Sequence, residues 1–327
     1  MPRVSRFGLV FAITSAMCFG FSGPLAKALI GAGISPMQAV WIRLGGAALA
    51  LLALTVATNP RALVVPRPRR RFMIAYSLVG FAAVQAFYYG TVARLPVGIA
   101  VLLEYLSPVL VVAWVRLVRR VRLPGSAVLG AVLAVIGLAC VVQVWRGFHI
   151  DAPGLLLGLG TAACAAVYFL LSQDAGDGIH PLGSLTWGTL GATVVLLPLA
   201  LPWRLPWHVL AGDLSVGRWA LPAPVAVCWL VLVATVAAYA TSIAALRRLT
   251  AAVGATVASL EVVTTAALAW ALLGETLSPT QLAGGAVVLA GALLAQRAIA
   301  RPMAATVPAE HTMAQADTAQ ACATRTR

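Results

Sequence analysis

Residues 94–117 read RLPVGIAVLLEYLSPVLVVAWVRL, an apolar run with one carboxylate, Glu104, near its middle. A stretch of about 20 apolar residues is what an α-helix needs to cross the hydrocarbon core of a bilayer. A membrane β-barrel would require alternation at period two, and the run shows none. Working outward, similar runs occupy Phe7–Ile30, Pro36–Ala57, Phe72–Ala93, Gly125–Trp145, Pro153–Gln173, Pro181–Trp203, Pro222–Leu246, Ala251–Leu273 and Pro279–Ala300. With the run from Leu95 to Leu117, these give about ten spans. Prolines at Pro36, Pro153, Pro181, Pro222 and Pro279 mark helix entrances, where a missing N–H costs least.

Composition agrees. Of 327 residues, 61% are hydrophobic and 10% charged, with a mean hydropathy of +0.95. A soluble domain carries about 25% charged residues, so this chain could not cover its surface in water. A soluble enzyme, a disordered chain and a nucleic-acid-binding domain are excluded. The expected class is an all-α polytopic membrane protein with lipid as its solvent.

The net charge of +14 reads as topology. Arg3 and Arg6 precede the first run, Arg61, Arg67, Arg69, Arg70 and Arg71 follow the second, and Arg116, Arg119, Arg120 and Arg122 follow the fourth. The positive-inside rule puts these loops in the cytoplasm. Arg247, Arg248, Arg297 and Arg301 fall on the same side if every run spans, leaving Arg94, Arg146, Arg204 and Arg218 opposite. The expectation is an inner-membrane protein with both termini cytoplasmic. Arg3 and Arg6 before an apolar run ending at Ala26-Lys27-Ala28 also fit a cleaved signal peptide, but the run is too long for one. Residues 1–6 are read as a cytoplasmic N-terminus and 301–327, rich in Ala, Thr, Gln and Pro, as a disordered cytoplasmic tail. The cysteines lack metal-ligand spacing, and no cofactor or metal is implied.

The most informative feature is duplication. The opening run has a partner, residues 248–271, RLTAAVGATVASLEVVTTAALAWA. Arg94-Leu95 recurs there as Arg248-Leu249, Leu106 as Leu260 and Val109 as Val263. At the same separation Leu123 meets Leu277, Gly130 meets Gly284 and Gly137 meets Gly291. Earlier, Gly33-Ile34-Ser35-Pro36 recurs as Gly178-Ile179-His180-Pro181. The units are residues 7–145 and 153–300. An odd number of spans in each forces the second to run opposite to the first. Two inverted five-helix repeats are a common transporter design, with the substrate near the midplane and the halves rocking about it.

Further motifs give the chain a family likeness. They are Phe19-Gly20-Phe21-Ser22 with Lys27, Arg43, Arg94-Leu95-Pro96, Tyr105-Leu106-Ser107-Pro108-Val109, and Leu273-Gly274-Glu275-Thr276-Leu277 before the Gly284 helix. Over residues 7 to 300 the chain resembles the drug/metabolite transporter superfamily, in particular its ten-helix EamA-type members. It departs from them in having Val262 after Glu261, where a proline is usual, and Arg119-Arg120-Val121 where the second repeat has its Gly-Glu pair. The resemblance implies export of small molecules, often amino acids or similar metabolites, coupled to an ion gradient.

Lys27, Arg43, Glu104 and Glu261 fall within spans. Each costs about 2.5–3.5 kcal/mol at a helix centre on insertion scales, so each needs a cavity, a partner or a proton. The functional reading makes Glu104 and Glu261 proton-coupling sites approaching a cavity at different depths, with Arg43 or Lys27 binding a substrate carboxylate or neutralising a glutamate. The structural reading is a static Glu–Arg pair, with Lys27 snorkelling to the interface. Gln85 and Tyr105 are candidate pathway residues, while Phe87, Tyr88 and Tyr89 either line a path or pack. The favoured function is a secondary transporter of small organic metabolites. The alternatives are a lipid-modifying membrane enzyme, for which no metal-ligating or DDxxD-like set is present, and a channel or scaffold.

Overall fold

The computed structural model describes residues 6–121, 123–143, 151–173, 179–217, 219–246, 248–249, 253 and 257–305. The helices in chain order are α1 (Arg6–Gly31), α2 (Pro36–Thr58), α3 (Arg67–Val92), α4 (Val97–Leu117) and α5 (Gly125–Val142). They continue as α6 (Ala152–Gln173), α7 (Pro181–Ala200), α8 (Ala223–Ala245), α9 (Leu260–Leu273) and α10 (Pro279–Ala305). Among the described residues, nine helices are long and apolar enough to cross a bilayer, and α9 is a shorter apolar helix. Much of the expected start of α9, the Asp174–Asp177 loop and residues 306–327 of the expected tail lie outside the described residues. Helix α10 runs past the expected boundary at 300 to Ala305.

The repeated Gly-Ile-Ser/His-Pro motif proves to be a helix start. Ser35 caps α2 in a capping box, its Oγ accepting from Gln38 N and its own N–H donating to Gln38 Oε1. His180 caps α7, its Nδ1 accepting from Leu182 N at 3.2 Å. Helix α7 stops at Ala200 rather than Trp203 because Leu201 turns left-handed before Pro202. Beyond it the chain forms a two-stranded antiparallel hairpin, β1 (Asp213–Val216) and β2 (Trp219–Pro222), which the apolar pattern did not announce. Leu214 and Val216 of β1 are buried, and Gly217 holds the turn at φ 62° against the Leu272 carbonyl, where a side chain would collide.

Helices α5 and α10 cross at their glycines. A Cβ on Gly130 would lie 2.6 Å from the Gly291 carbonyl oxygen, and one on Gly137 2.7 Å from that of Gly284. Conversely, a Cβ on Gly291 would meet Gly130 O at 2.6 Å, and one on Gly284 would meet Gly137 O at 2.8 Å. The residues that match as Gly130/Gly284 and Gly137/Gly291 therefore touch with partners exchanged, as a two-fold relation demands. The two helices run antiparallel, which sets the halves upside down to one another. Lipid supplies no hydrophobic force between helices, so such backbone approach supplies much of the attraction.

The other contacts follow the same exchange. Helix α2 packs on α7, α1 packs on α8 as α6 does on α3, and α1 packs on α9 as α6 does on α4. Helices α3 and α8 each contain a π-helical stretch, Tyr76–Ala83 and Trp229–Ala237, at matching positions.

Candidate functional site

Helices α4 and α9 are both broken at matching points. In α4 the break at Tyr105-Leu106 follows from Pro108, which has no N–H for the Glu104 carbonyl four residues back. In α9 Val262 stands at the proline's position, and its N–H reaches Ser259 O at 3.2 Å instead of the Ala258 carbonyl. The Ala258 oxygen so released accepts from Tyr105 Oη at 2.6 Å, joining the two breaks. Glu104 ends the first segment of α4, and Glu261 lies in the first turn of α9 beyond its break.

Both carboxylates are half-buried, and neither has a hydrogen bond or ion pair among the described residues. They lie within electrostatic reach of each other and of Arg43, with Tyr88, Tyr105 and Tyr239 in the same field. The structure thus gathers Glu104, Glu261, Arg43 and Tyr105 around one polar centre.

Arg43 is 2% exposed and, among the described residues, meets no carboxylate within ion-pair distance. Its Nε donates to Thr235 Oγ1 at 2.8 Å, Nη1 to Gln85 Oε1 at 2.8 Å and Tyr89 Oη at 3.4 Å, and Nη2 to Ala234 O at 3.5 Å. The static Glu–Arg pair weighed from sequence is therefore replaced by neutral acceptors on α3 and α8. The π turn supplies two of them: Thr235 donates its own proton to Leu230 O, five residues back, and turns its lone pair to Arg43. Gln85 is an acceptor for Arg43, and Tyr89 is wholly buried beside the guanidinium.

Lys27 stands apart from this centre. Its Nζ is 2.7 Å from Glu275 Oε1 and donates to Leu95 O at 2.8 Å, while Glu275 Oε2 accepts from Val97 N at 2.7 Å. This clasp joins the end of α1, the start of α4 and the turn after α9, and corrects the expectation of a snorkelling or substrate-facing lysine. Glu275 was visible only as part of a family motif, because its partner lies far away in sequence. At the same end, Arg94 pairs with Asp151 at 2.9 Å. The Asp151 carboxyl is held below its ordinary range by the Gly154 N–H it caps and by the Arg94 guanidinium. At the opposite end a cavity of about 580 Å³ opens between α7 and α8, lined by His180, Leu182, Ala240, Ile243, Ala244 and Arg248.

With this geometry in hand, comparison with known proteins is decisive. The EamA-like transporter family model matches the chain twice, over residues 6–143 and 152–296. The chain belongs to the EamA-like transporter family. Threonine/homoserine exporter RhtA of Escherichia coli (strain K12) is 29% identical to this EamA-like chain over 276 residues, covering 81% of it and 87% of that protein. An uncharacterized transporter of Archaeoglobus fulgidus is 25% identical over 298 residues, or 90% and 98% of the two chains. A crystal structure at 21% identity aligns with a TM-score of 0.57 over 90% of this chain and 98% of its own, a likeness of fold alone. This EamA-like protein is a multi-pass membrane transporter and not an enzyme.

Proposed function

We propose that the protein exports small organic metabolites, amino acids among them, by alternating access about the centre formed by Glu104, Glu261, Arg43, Gln85 and Tyr105. The observation that carries this reading is the pair of carboxylates, without a partner among the described residues, at matching breaks of α4 and α9. Discontinuous helices facing each other across an inverted repeat are where secondary transporters hold substrate and coupling ion. The exporter direction and the amino-acid class rest on the relative named a threonine/homoserine exporter. The proton is the coupling ion in this reading, because a carboxylate without a cationic partner at membrane depth is neutralised most directly by one.

The arginine-rich end faces the cytoplasm, so both termini lie there. In this orientation the cavity beside His180 and Arg248 lies toward the cytoplasm, and the Lys27–Glu275 clasp lies toward the far side. The test is flux in proteoliposomes under an imposed pH gradient. Gradient-driven flux is expected in the wild type and not in Glu104→Gln or Glu261→Gln. Wild-type coupling in both variants would remove the carboxylates from the mechanism. An untargeted comparison of metabolites inside and outside cells with and without the protein identifies what is moved.

A further inference from the structure

We infer that the polar centre recognises its substrate by an organic ammonium group held on the Glu104 and Glu261 carboxylates, and that Arg43 is a positioning residue which never meets the substrate. This assignment rests on the reading of the centre as the transport site.

The argument begins with Arg43. A guanidinium has five N–H donors in a fixed fork. Thr235, Gln85, Tyr89 and the Ala234 carbonyl take four hydrogen bonds from it, and the side chain is 2% exposed. Gripping a substrate carboxylate in two-pronged fashion would mean abandoning those acceptors and leaving Gln85 Oε1 without its donor. The arginine instead ties α2 to α3 and α8, at the point where the π turn of α8 brings Thr235 and the Ala234 carbonyl inward.

Glu104 and Glu261 are the reverse case. They are acceptors only when ionised, and no N–H or O–H among the described residues reaches either. Tyr105, nearest in sequence, has already committed its proton to Ala258 O. With both carboxylates ionised, the centre holds two negative charges against the one positive charge of Arg43. One monovalent cation balances it. A primary ammonium brings that charge together with three donors, enough to serve both carboxylates at once. The Tyr88, Tyr105 and Tyr239 hydroxyls share the field of these groups. Helix α1 approaches Tyr88 closely, since a Cβ on Gly23 would come within 2.9 Å of its Oη. A free organic acid would instead add a third negative charge beside the two carboxylates, with no ammonium to offset it.

Three probes on one carbon skeleton separate the functional groups: L-homoserine carries ammonium and carboxylate, 3-amino-1-propanol only the ammonium, and 4-hydroxybutyrate only the carboxylate. Their binding to the purified full-length protein in detergent is measured by titration calorimetry near neutral pH. Homoserine and aminopropanol are expected to bind and hydroxybutyrate not. Glu104→Gln and Glu261→Gln should each weaken aminopropanol binding by about tenfold or more, the worth of a charge-assisted hydrogen bond. Both substitutions keep the side-chain shape, and a melting curve for each variant verifies that it is folded. Arg43→Lys should alter melting more than aminopropanol affinity.

Binding of hydroxybutyrate without aminopropanol would overturn the assignment, as would silence from all three probes or unchanged aminopropanol affinity in both glutamine variants. Failure of the underlying transport reading looks different. A protein that binds aminopropanol and moves no solute refutes transport and keeps the recognition, whereas flux without ammonium binding does the opposite.

Discussion

In the first half of the chain α4 breaks where Pro108 withdraws a donor, whereas in the second α9 breaks at Ser259 with Val262 in the proline's place. The same geometry is reached by different residues, and the π stretches of α3 and α8 repeat that lesson. Charge is distributed otherwise. Arg43 on α2 matches Gly188 on α7, and Gln85 on α3 matches Tyr239 on α8. Glu275 matches Val121, so the first half has no carboxylate at the position that clasps Lys27. Backbone packing keeps the two-fold relation and polar chemistry abandons it. A scaffold that rocks needs equivalent contacts in both directions, while a substrate with unlike ends needs an asymmetric site.

The strongest way to break the shared scaffold is at the α5–α10 crossing. Gly137→Leu drives a side chain into the backbone at Gly284 and Val288. The expected cost is about 3 kcal/mol or more, seen as loss of monodisperse protein on gel filtration. Gly284→Leu should do the same, and a mild effect of one beside a severe effect of the other would contradict the exchange of partners.

The asymmetric centre comes next. Arg43→Met strands Gln85 Oε1 and leaves the two carboxylates without a nearby cation, which should cost about 3 kcal/mol. Thermal melting in detergent measures it, and Arg43→Lys should recover part of the loss because the charge remains but the fork is gone.

The clasp should matter less, since Lys27 is partly open to solvent. Lys27→Met or Glu275→Gln is expected to cost the closed end about 1 kcal/mol, which is about a fivefold shift toward opening. Thr265, 2% exposed and beside Gly23, lies behind the clasp. A cysteine there, in a background lacking the others, should react faster with a membrane-impermeant maleimide when the clasp is cut. Unchanged labelling would make the clasp a structural tie and not a gate.

The smallest effect concerns one backbone angle. Arg120 adopts φ 52° at the position matching Gly274, whose φ is 70°. A left-handed residue with a Cβ costs about 1–2 kcal/mol, so Arg120→Gly should raise stability by about 0.5–1 kcal/mol. Gly274→Arg should lower it by a similar amount.

Much of this was legible from the chain. Spans, duplication and the crossing glycines are local patterns, and ionisable residues at membrane depth announce themselves because they are costly to place there. The identity of their partners was not legible. Arg43 and Thr235 are separated by 192 positions, and Lys27 reaches Glu275 from the opposite half of the chain. The π turns were hidden as well, because a ladder shifted by one residue leaves an apolar run looking apolar.

The amino-acid sequence by itself determined that ten apolar segments would form helices in lipid and that two similar groups of five would face opposite ways, because hydrocarbon forces every backbone group into an internal hydrogen bond. Only the tertiary structure decided which charges would be satisfied. It turned Arg43 to neutral oxygens, gave Lys27 to Glu275, and left Glu104 and Glu261 open, because polar partnership depends on where breaks and wide turns bring distant atoms within reach.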